Sequence, residues 1–396
     1  MGVHMANTWS FLNDVRILDL SRLLPGPMAT QLLADLGAEV IKIEEPVEGD
    51  TGRHLGKDMF ARLNRNKKSL TLNLKSDEGK ALFTTLIKSA DAIVESFRPG
   101  VMERLGFSWE QVREINPNIV YCSLSGFGQT GPYAKRAGHD IDFLALSGYF
   151  GVPSQVNARI SRPNVRLSDY AGAMYAALSM SIAIASSKQS GKGQYLDVAI
   201  LDAITAWTAP LVRIAHEVCG GDPDKMPFVM PDNDTYPTKD GQNIAIGLFE
   251  NKFWISLAEL LKDEFPELSD ERFATNRKRN AAKQETHALL CRVFASKTLA
   301  EWELIFDPTD LPWAPVIEDL RLFEDPHMQA RDMFHDLPDQ TGDGTSFQVR
   351  YPVLFSEGLG ELRQSAPDKG QHTEDILGSI GLSPEDIAKL KDQGTV

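Results

Sequence analysis

Short β-branched apolar runs alternate with stretches of helical spacing along the first 125 residues. Residues 15–20 (Val-Arg-Ile-Leu-Asp-Leu) read as a strand, and 21–37 as a helix through Met28, Leu32, Leu33 and Leu36. Strands follow at 40–44 and 69–74, then a helix over 77–90 capped by Ser76, a strand at 92–95, a helix through Met102 and Arg104, and a strand at 119–125. Strands alternating with helices predict an α/β fold, a mostly parallel sheet covered on both faces.

Residues 140–149 have helical spacing at Phe143, Leu144 and Leu146, and a long Ala-rich, low-charge helix opens near Asp169 and reads as buried. Residues 195–200 lead into a helix that runs to about Cys219, where Gly220-Gly221-Asp222-Pro223 breaks it. A second unit begins near Met230, with a strand and tight turn over 234–241, a strand at 242–247 and helices at 253–261, 281–295 and 299–305. Residues 311–316, punctuated by Pro312 and Pro315, read as an extended segment returning to the first domain, and helices at 373–377 and 383–391 close the chain. The expected organisation is a large domain over 1–220, a small α+β domain over 230–320, and a segment 321–396 completing the large one. No internal repeat is visible.

The 396 residues suffice for two cores, and 42% hydrophobic with 24% charged residues is ordinary for a globular chain. A formal charge of −14 argues against a general nucleic-acid binder, so an anionic ligand needs a local basic patch. Cys122, Cys219 and Cys291 are neither a disulfide framework nor a metal-ligand spacing, which fits a reducing cytoplasmic setting. The low-charge helix is too short to span a bilayer comfortably. Met1 to His4, ahead of Met5, look like an added leader, and no signal sequence follows.

In a parallel sheet of this kind, ligands bind beyond the carboxyl ends of the strands where the winding reverses. That places Ser21, Arg22, Glu44, Glu45, Lys75, Phe97, Arg98 and Ser125 to Gly128 at the site edge, and makes Arg65, Lys67, Lys68, Lys75, Arg98 and Arg104 a candidate basic rim, against a solvated surface as the plain alternative. Gly126-Phe-Gly128-Gln-Thr-Gly131 follows a strand, but Pro132-Tyr133 stands where a dinucleotide-binding helix would open, so it reads as a glycine turn. Gly138-His139-Asp140 and Ser168-Asp169 set an imidazole and a carboxylate at two helix starts. A structural pair is one reading, with Asp169 or Ser168 as an N-cap worth about 1 kcal/mol; proton transfer on both sides of one carbon is the other.

Taken jointly, Leu24-Pro-Gly-Pro27, residues 33–42 (Leu-Ala-Asp-Leu-Gly-Ala-Glu-Val-Ile-Lys), Asn73-Leu-Lys75, residues 97–106 (Phe-Arg-Pro-Gly-Val-Met-Glu-Arg-Leu-Gly), Ser125-Gly-Phe-Gly128 with Gly131-Pro132, and Gly193-Gln-Tyr-Leu-Asp197 give a chain-long resemblance to the family III CoA-transferases and the related α-methylacyl-CoA racemases. The resemblance implies an acyl-CoA enzyme of lipid metabolism with a Rossmann-like large domain, a small domain and an interlocked homodimer. The thioester is the substrate, and neither cofactor, metal, nucleic acid nor membrane is implied. Lys75, Arg98, Arg104 and Arg136 would hold phosphates, with Leu72 and Phe97 near the adenine. Glu44-Glu45 stands where relatives often carry an arginine.

In the transferase branch Asp169 would be a nucleophile carrying CoA as an aspartyl thioester. In the racemase branch His139 and Asp169 would be opposed bases, with Glu250 orienting the histidine and the Asp140 backbone N–H meeting the enolate oxygen. Gly138-His139-Asp140 resembles the racemase form, and the stretch 228–234 lacks the glycine-rich loop of transferases. The racemase cycle requires a raised Asp169 pKa. Met226 and Met230 are candidates for the acyl pocket, with core filling as the alternative.

Overall fold

The computed structural model describes residues 11–55, 57–153, 155–156, 162–222, 225–338, 344–357, 360 and 362–396, so the leader at Met1 to His4 lies outside the described residues. Strands β1 (Arg16–Asp19), β2 (Glu39–Glu44), β3 (Lys67–Thr71), β4 (Ala92–Glu95), β5 (Val120–Ser125) and β6 (Gln194–Ala199) form one sheet in the order β3-β2-β1-β4-β5-β6, every neighbouring pair parallel. The winding runs one way from β1 to β3 and the other from β4 to β6. The crevice at the carboxyl ends of β1 and β4 is therefore the point where it reverses.

Helices α1 (Pro25–Asp35), α2 (Lys57–Leu63), α3 (Asp77–Ile87), α4 (Val101–Leu105), α5 (Trp109–Ile115), α6 (Asp140–Leu146) and α7 (Leu167–Ser190) belong to this unit, as does the first half of α8 (Ile200–Arg213). The predicted helix over 21–37 starts only at Pro25. Proline pre-sets helical geometry at a first turn but cannot extend a helix backward, and Leu23 sits at φ 66, a left-handed turn ahead of it. Ser76 caps α3 as expected, its Oγ accepting from the Gly79 N–H at 3.1 Å. Helix α5 was not predicted, although Ser108 and Gln111 form a reciprocal capping box at its start. One core of this unit packs Leu18, Ile41, Leu70, Phe83, Ile93 and Tyr121 against the α3 and α5 side.

The second unit comprises 148–162 and 207–325. It holds an antiparallel sheet of β7 (Asn233–Pro237), β8 (Asn243–Gly247) and β9 (Trp313–Pro315), with α9 (Asn251–Leu260), α10 (Asn276–Ala281), α11 (Lys283–Phe294) and α12 (Leu299–Phe306) around a core containing Trp254, Phe294 and Trp302. The segment expected to be a bare return connection is thus the third strand of this sheet. Its prolines are tolerated because β9 lies at the edge. The first unit is completed by 326–396, with α13 (Pro326–Ala330), an unpredicted hairpin of β10 (Phe334–Pro338) and β11 (Thr345–Val349), α14 (Thr373–Ser379) and α15 (Pro384–Asp392).

Two members of the predicted basic rim are buried instead. Lys67 is 0% exposed and donates to Asp19 Oδ2 at 2.9 Å, Asn64 Oδ1 at 2.8 Å and the Pro27 carbonyl at 2.9 Å. Arg65 forms a two-pronged pair with Asp35 at 3.0 and 2.7 Å. Lys68 is spent on Glu39. The sheet is covered on both faces over most of β3: Lys67, Ser69, Leu70 and Thr71 are buried, while Lys68 stays half-exposed.

Asp19 also accepts from Ser21 and Thr30, and Lys42 donates to the Ser21 carbonyl at 2.9 Å and pairs with Asp50 at 2.8 Å. Burial alone would raise Asp19, but Lys67, Lys42 and the two hydroxyls hold it well below the usual carboxylate range. Burial pushes Lys67 down to about 8 despite Asp19. Replacing Asp19 by Asn leaves two buried ammonium groups undercompensated, and urea unfolding is expected to show a loss of about 3–5 kcal/mol.

Candidate active site

The N-terminus of α7 is capped from another helix. Its flanking residue Arg166 provides no side-chain cap; Asp140 does so across the fold, Oδ1 accepting from the Ser168 N–H at 3.0 Å and the Ser168 Oγ at 2.7 Å. Asp140 is 2% exposed and its Oδ2 has no hydrogen-bond partner. Neither Ser168 nor Asp169 is the N-cap foreseen from the sequence: α7 begins at Leu167, and Asp169 lies in its first turn. The Asp140–Ser168 contact therefore draws together the segments carrying His139 and Asp169, each one residue from the joint.

His139 flanks α6 in an extended conformation (φ −128, ψ 173), with its backbone N–H donating to Asp142 Oδ2 at 2.9 Å and its side chain exposed. Asp140 is the first residue of α6, so its backbone N–H has no acceptor within the helix. The approach to His139 is shaped by Phe143. A Cβ at Gly126 would lie 2.6 Å from that ring and one at Gly138 2.8 Å, so both positions must lack a side chain for the two turns to close on it.

Asp169 is half-buried, and its carboxyl is pushed up to about 7 by burial and then by the Asp140 charge, with Arg166 opposing. A helix N-terminus favours the ionised form, so the shift runs against the helix dipole. Its direction is the one two-base chemistry requires. Asp140 supplies both the cap and part of the shift, although only its backbone had been singled out in the sequence.

At the winding reversal, the Arg22 N–H donates to Ser96 Oγ at 2.9 Å and the Arg22 guanidinium lies 5.2 Å from the centre of the Phe97 ring. Beneath this loop Glu95, 4% exposed, accepts from the Phe97 N–H at 2.8 Å and is pushed up to about 7 by burial and the Asp197 charge, against the Ser123 and Phe97 donors. Glu95, Ser123 and Asp197 lie in register on neighbouring strands. Asp197 in turn holds the glycine turn, accepting from the Gln129 N–H at 3.1 and 3.0 Å.

Lys75, Arg98, Arg104 and Arg136 are exposed, Arg136 lying 5.4 Å over Tyr133. Leu72 is 2% exposed inside the core, so its side chain is not placed to meet a base. Met226 is likewise core, at 1%. Glu44 does not confront a phosphate: it is buried and chelated by Arg53 at 2.8 and 2.7 Å. Glu45 closes the following turn on the Val47 and Glu48 N–H groups. Glu250, in the second unit, immediately precedes α9 and is exposed. Among the described residues no cluster of His, Cys, Asp or Glu could hold a metal ion, and no helix is long and apolar enough to cross a membrane.

A doubly wound sheet with a reversal crevice is a ligand-binding α/β architecture. The model of CoA-transferase family III matches residues 12–373, and the chain belongs to that family. An acyl-CoA transferase of Fusarium pseudograminearum is 36% identical over 97% of this chain and 88% of its own length. Human α-methylacyl-CoA racemase is 32% identical over 96% of each chain. The crystal structure of a CAIB/BAIF family protein from Brucella suis superposes with a TM-score of 0.80 at 29% identity, covering 94% of this chain and 99% of that one.

Two expected outcomes follow from these contacts. Asp140→Ala should cost about 1–2 kcal/mol through the lost cap, read by urea unfolding, and should lower the Asp169 pKa without returning it to 3.8, because burial remains the larger cause, read by carboxyl NMR titration. For Glu95, the folded state keeps a proton that the unfolded chain loses above 4.5, so stability falls as pH rises toward about 7. Glu95→Gln should therefore be relatively stabilising at pH 8, by on the order of 1–3 kcal/mol, and lose that advantage at pH 5 in paired unfolding curves.

Proposed function

We propose that the chain acts on acyl-CoA thioesters through Asp169, epimerising the α-carbon of 2-methylacyl-CoA substrates. What supports this reading is the Asp140–Ser168 contact that sets the segments of His139 and Asp169 side by side, together with the burial and Asp140 charge that push the Asp169 carboxyl up to about 7. In the forward sense His139 removes the α-proton of one epimer and protonated Asp169 returns one to the opposite face; the reverse epimer exchanges their roles. The Asp140 N–H would meet the enolate oxygen. Lys75, Arg98, Arg104 and Arg136 would contact the phosphates. The thioester is itself the substrate, so the scheme calls on no cofactor.

A homodimer belongs to the same reading. Met174, Leu178 and Ile182 form an exposed apolar row at four-residue spacing on α7, opposite the face that packs Ala173, Ala176, Ala177 and Met180 inside. A helix apolar on both sides suits burial on both sides.

CoA transfer between carboxylic acids is the second reading, favoured by the 36%-identical relative named an acyl-CoA transferase. There Asp169 must ionise to attack, and the CoA then rests on it as a thioester. Incubation with a single epimer of a 2-methylacyl-CoA in deuterated water separates the two. Deuterium at the α-carbon without any acceptor acid, lost in His139→Ala, is expected for epimerisation. Turnover that depends on a free acid, with hydroxylamine-sensitive labelling of Asp169, would replace it.

A further inference from the structure

The loop at the winding reversal presents a cation without an acid. Three of its consecutive residues are fixed by side chains from beneath: Ser21 by Asp19 through N–H and Oγ and by Lys42 through its carbonyl, Arg22 by Ser96 through its N–H, and Leu23 by Asp50 Oδ1 at 3.1 Å. Leu23 is held at φ 66, where a bulky side chain is disfavoured. This much restraint on a buried to half-buried loop sets the direction of one side chain, Arg22.

Several arginines of this acidic protein sit on carboxylates, among them Arg16 on Glu39, Arg53 on Glu44, Arg65 on Asp35 and Arg279 on Asp232, whereas Arg22, like Arg113 over Trp109 and Arg136 over Tyr133, meets a ring instead. The half-buried Arg22 guanidinium has only the Phe97 ring, 5.2 Å away, and no carboxylate within ion-pair distance among the described residues. Net charge makes this unexpected, since 55 acidic residues outnumber 41 basic ones. A guanidinium that stacks on an aromatic face keeps its N–H fork directed outward for a planar or tetrahedral oxyanion. Because it covers one face of Phe97, a ligand approaching that face meets Arg22 first.

We propose that Arg22, stacked on Phe97 in the crevice between β1 and β4, binds a phosphate group of the CoA moiety. The inference rests on the acyl-CoA reading and adds a binding residue to it. Phe97 then serves as the platform for the cation rather than as the wall of an adenine pocket, and Glu95 holds that platform through its N–H.

The test compares wild type, Arg22→Met and Arg22→Lys by calorimetric titration with CoA and with dephospho-CoA, alongside steady-state kinetics. Arg22→Met should weaken CoA binding and raise KM by about tenfold or more, with kcat at saturation unchanged, and with a shallower dependence of affinity on salt. Arg22→Lys keeps the charge and gives up the planar stack, so it should recover most of the affinity; a purely structural role on Phe97 would make Lys as poor as Met. A larger loss with CoA than with dephospho-CoA assigns the contact to the 3′-phosphate, and equal losses assign it to the diphosphate. CoA affinity within twofold of wild type in both variants, each melting as wild type does, overturns the inference and leaves the acyl-CoA reading standing. Failure of the wild type to bind CoA at all would remove both.

Discussion

One carboxylate, Asp140, bonded to the first turn of a helix that starts twenty-seven residues later, ties together the two segments that carry His139 and Asp169. Unmet N–H groups at a buried helix start cost free energy, and α7 has no capping side chain of its own. Asp140 meets that need, and in doing so fixes the spacing of α6 and α7. The same charge then acts on Asp169, one residue further along, and adds to the burial that raises its carboxyl. Cap and pKa shift are two consequences of one contact, so the geometry and the proton affinity of this site cannot vary independently.

A second constraint operates at the winding reversal. Asp19, Lys42, Lys67 and Asp50 are removed from water, and removing such charges costs several kcal/mol each unless they are paired and hydrogen-bonded. A hydrophobic filling would be at least as stable. What the ionic one supplies is direction, since each member ends on a backbone group or hydroxyl of the 19–30 segment. The result is a short loop held in a conformation it would not adopt alone.

The strand–helix alternation was legible because a sheet buried on both faces writes continuous apolar runs, and β4 could be placed to the residue. The burial of Lys67 was not, because a lysine reads as surface until the acid that neutralises it is known, and Asp19 lies 48 positions away. The α7 cap escaped for the same reason: local sequence offers Ser168 and Asp169, and only the fold supplies Asp140. Helix α5 was a different failure, since Ser108 and Gln111 carry its start signal in plain sequence. Prolines at 312 and 315 argued for a connection where an edge strand can accommodate them. Of the site, His139 and Asp169 were picked out together, and the fold does set their segments side by side; the role of Arg22 depends on a ring 75 positions distant.

The two chemistries open to this family make opposite demands on the same carboxyl. A nucleophile must be ionised when the thioester arrives, and burial beside a second carboxylate opposes that; a proton donor must be neutral, and the same surroundings favour it. An enzyme built for attack would be expected to place a donor or a cation against Asp169 strongly enough to reverse the shift. Here the cation that contributes, Arg166, is exposed and leaves the net shift upward. Burial and the Asp140 charge thus favour the neutral form of Asp169, and an attacking carboxylate would have to ionise against both.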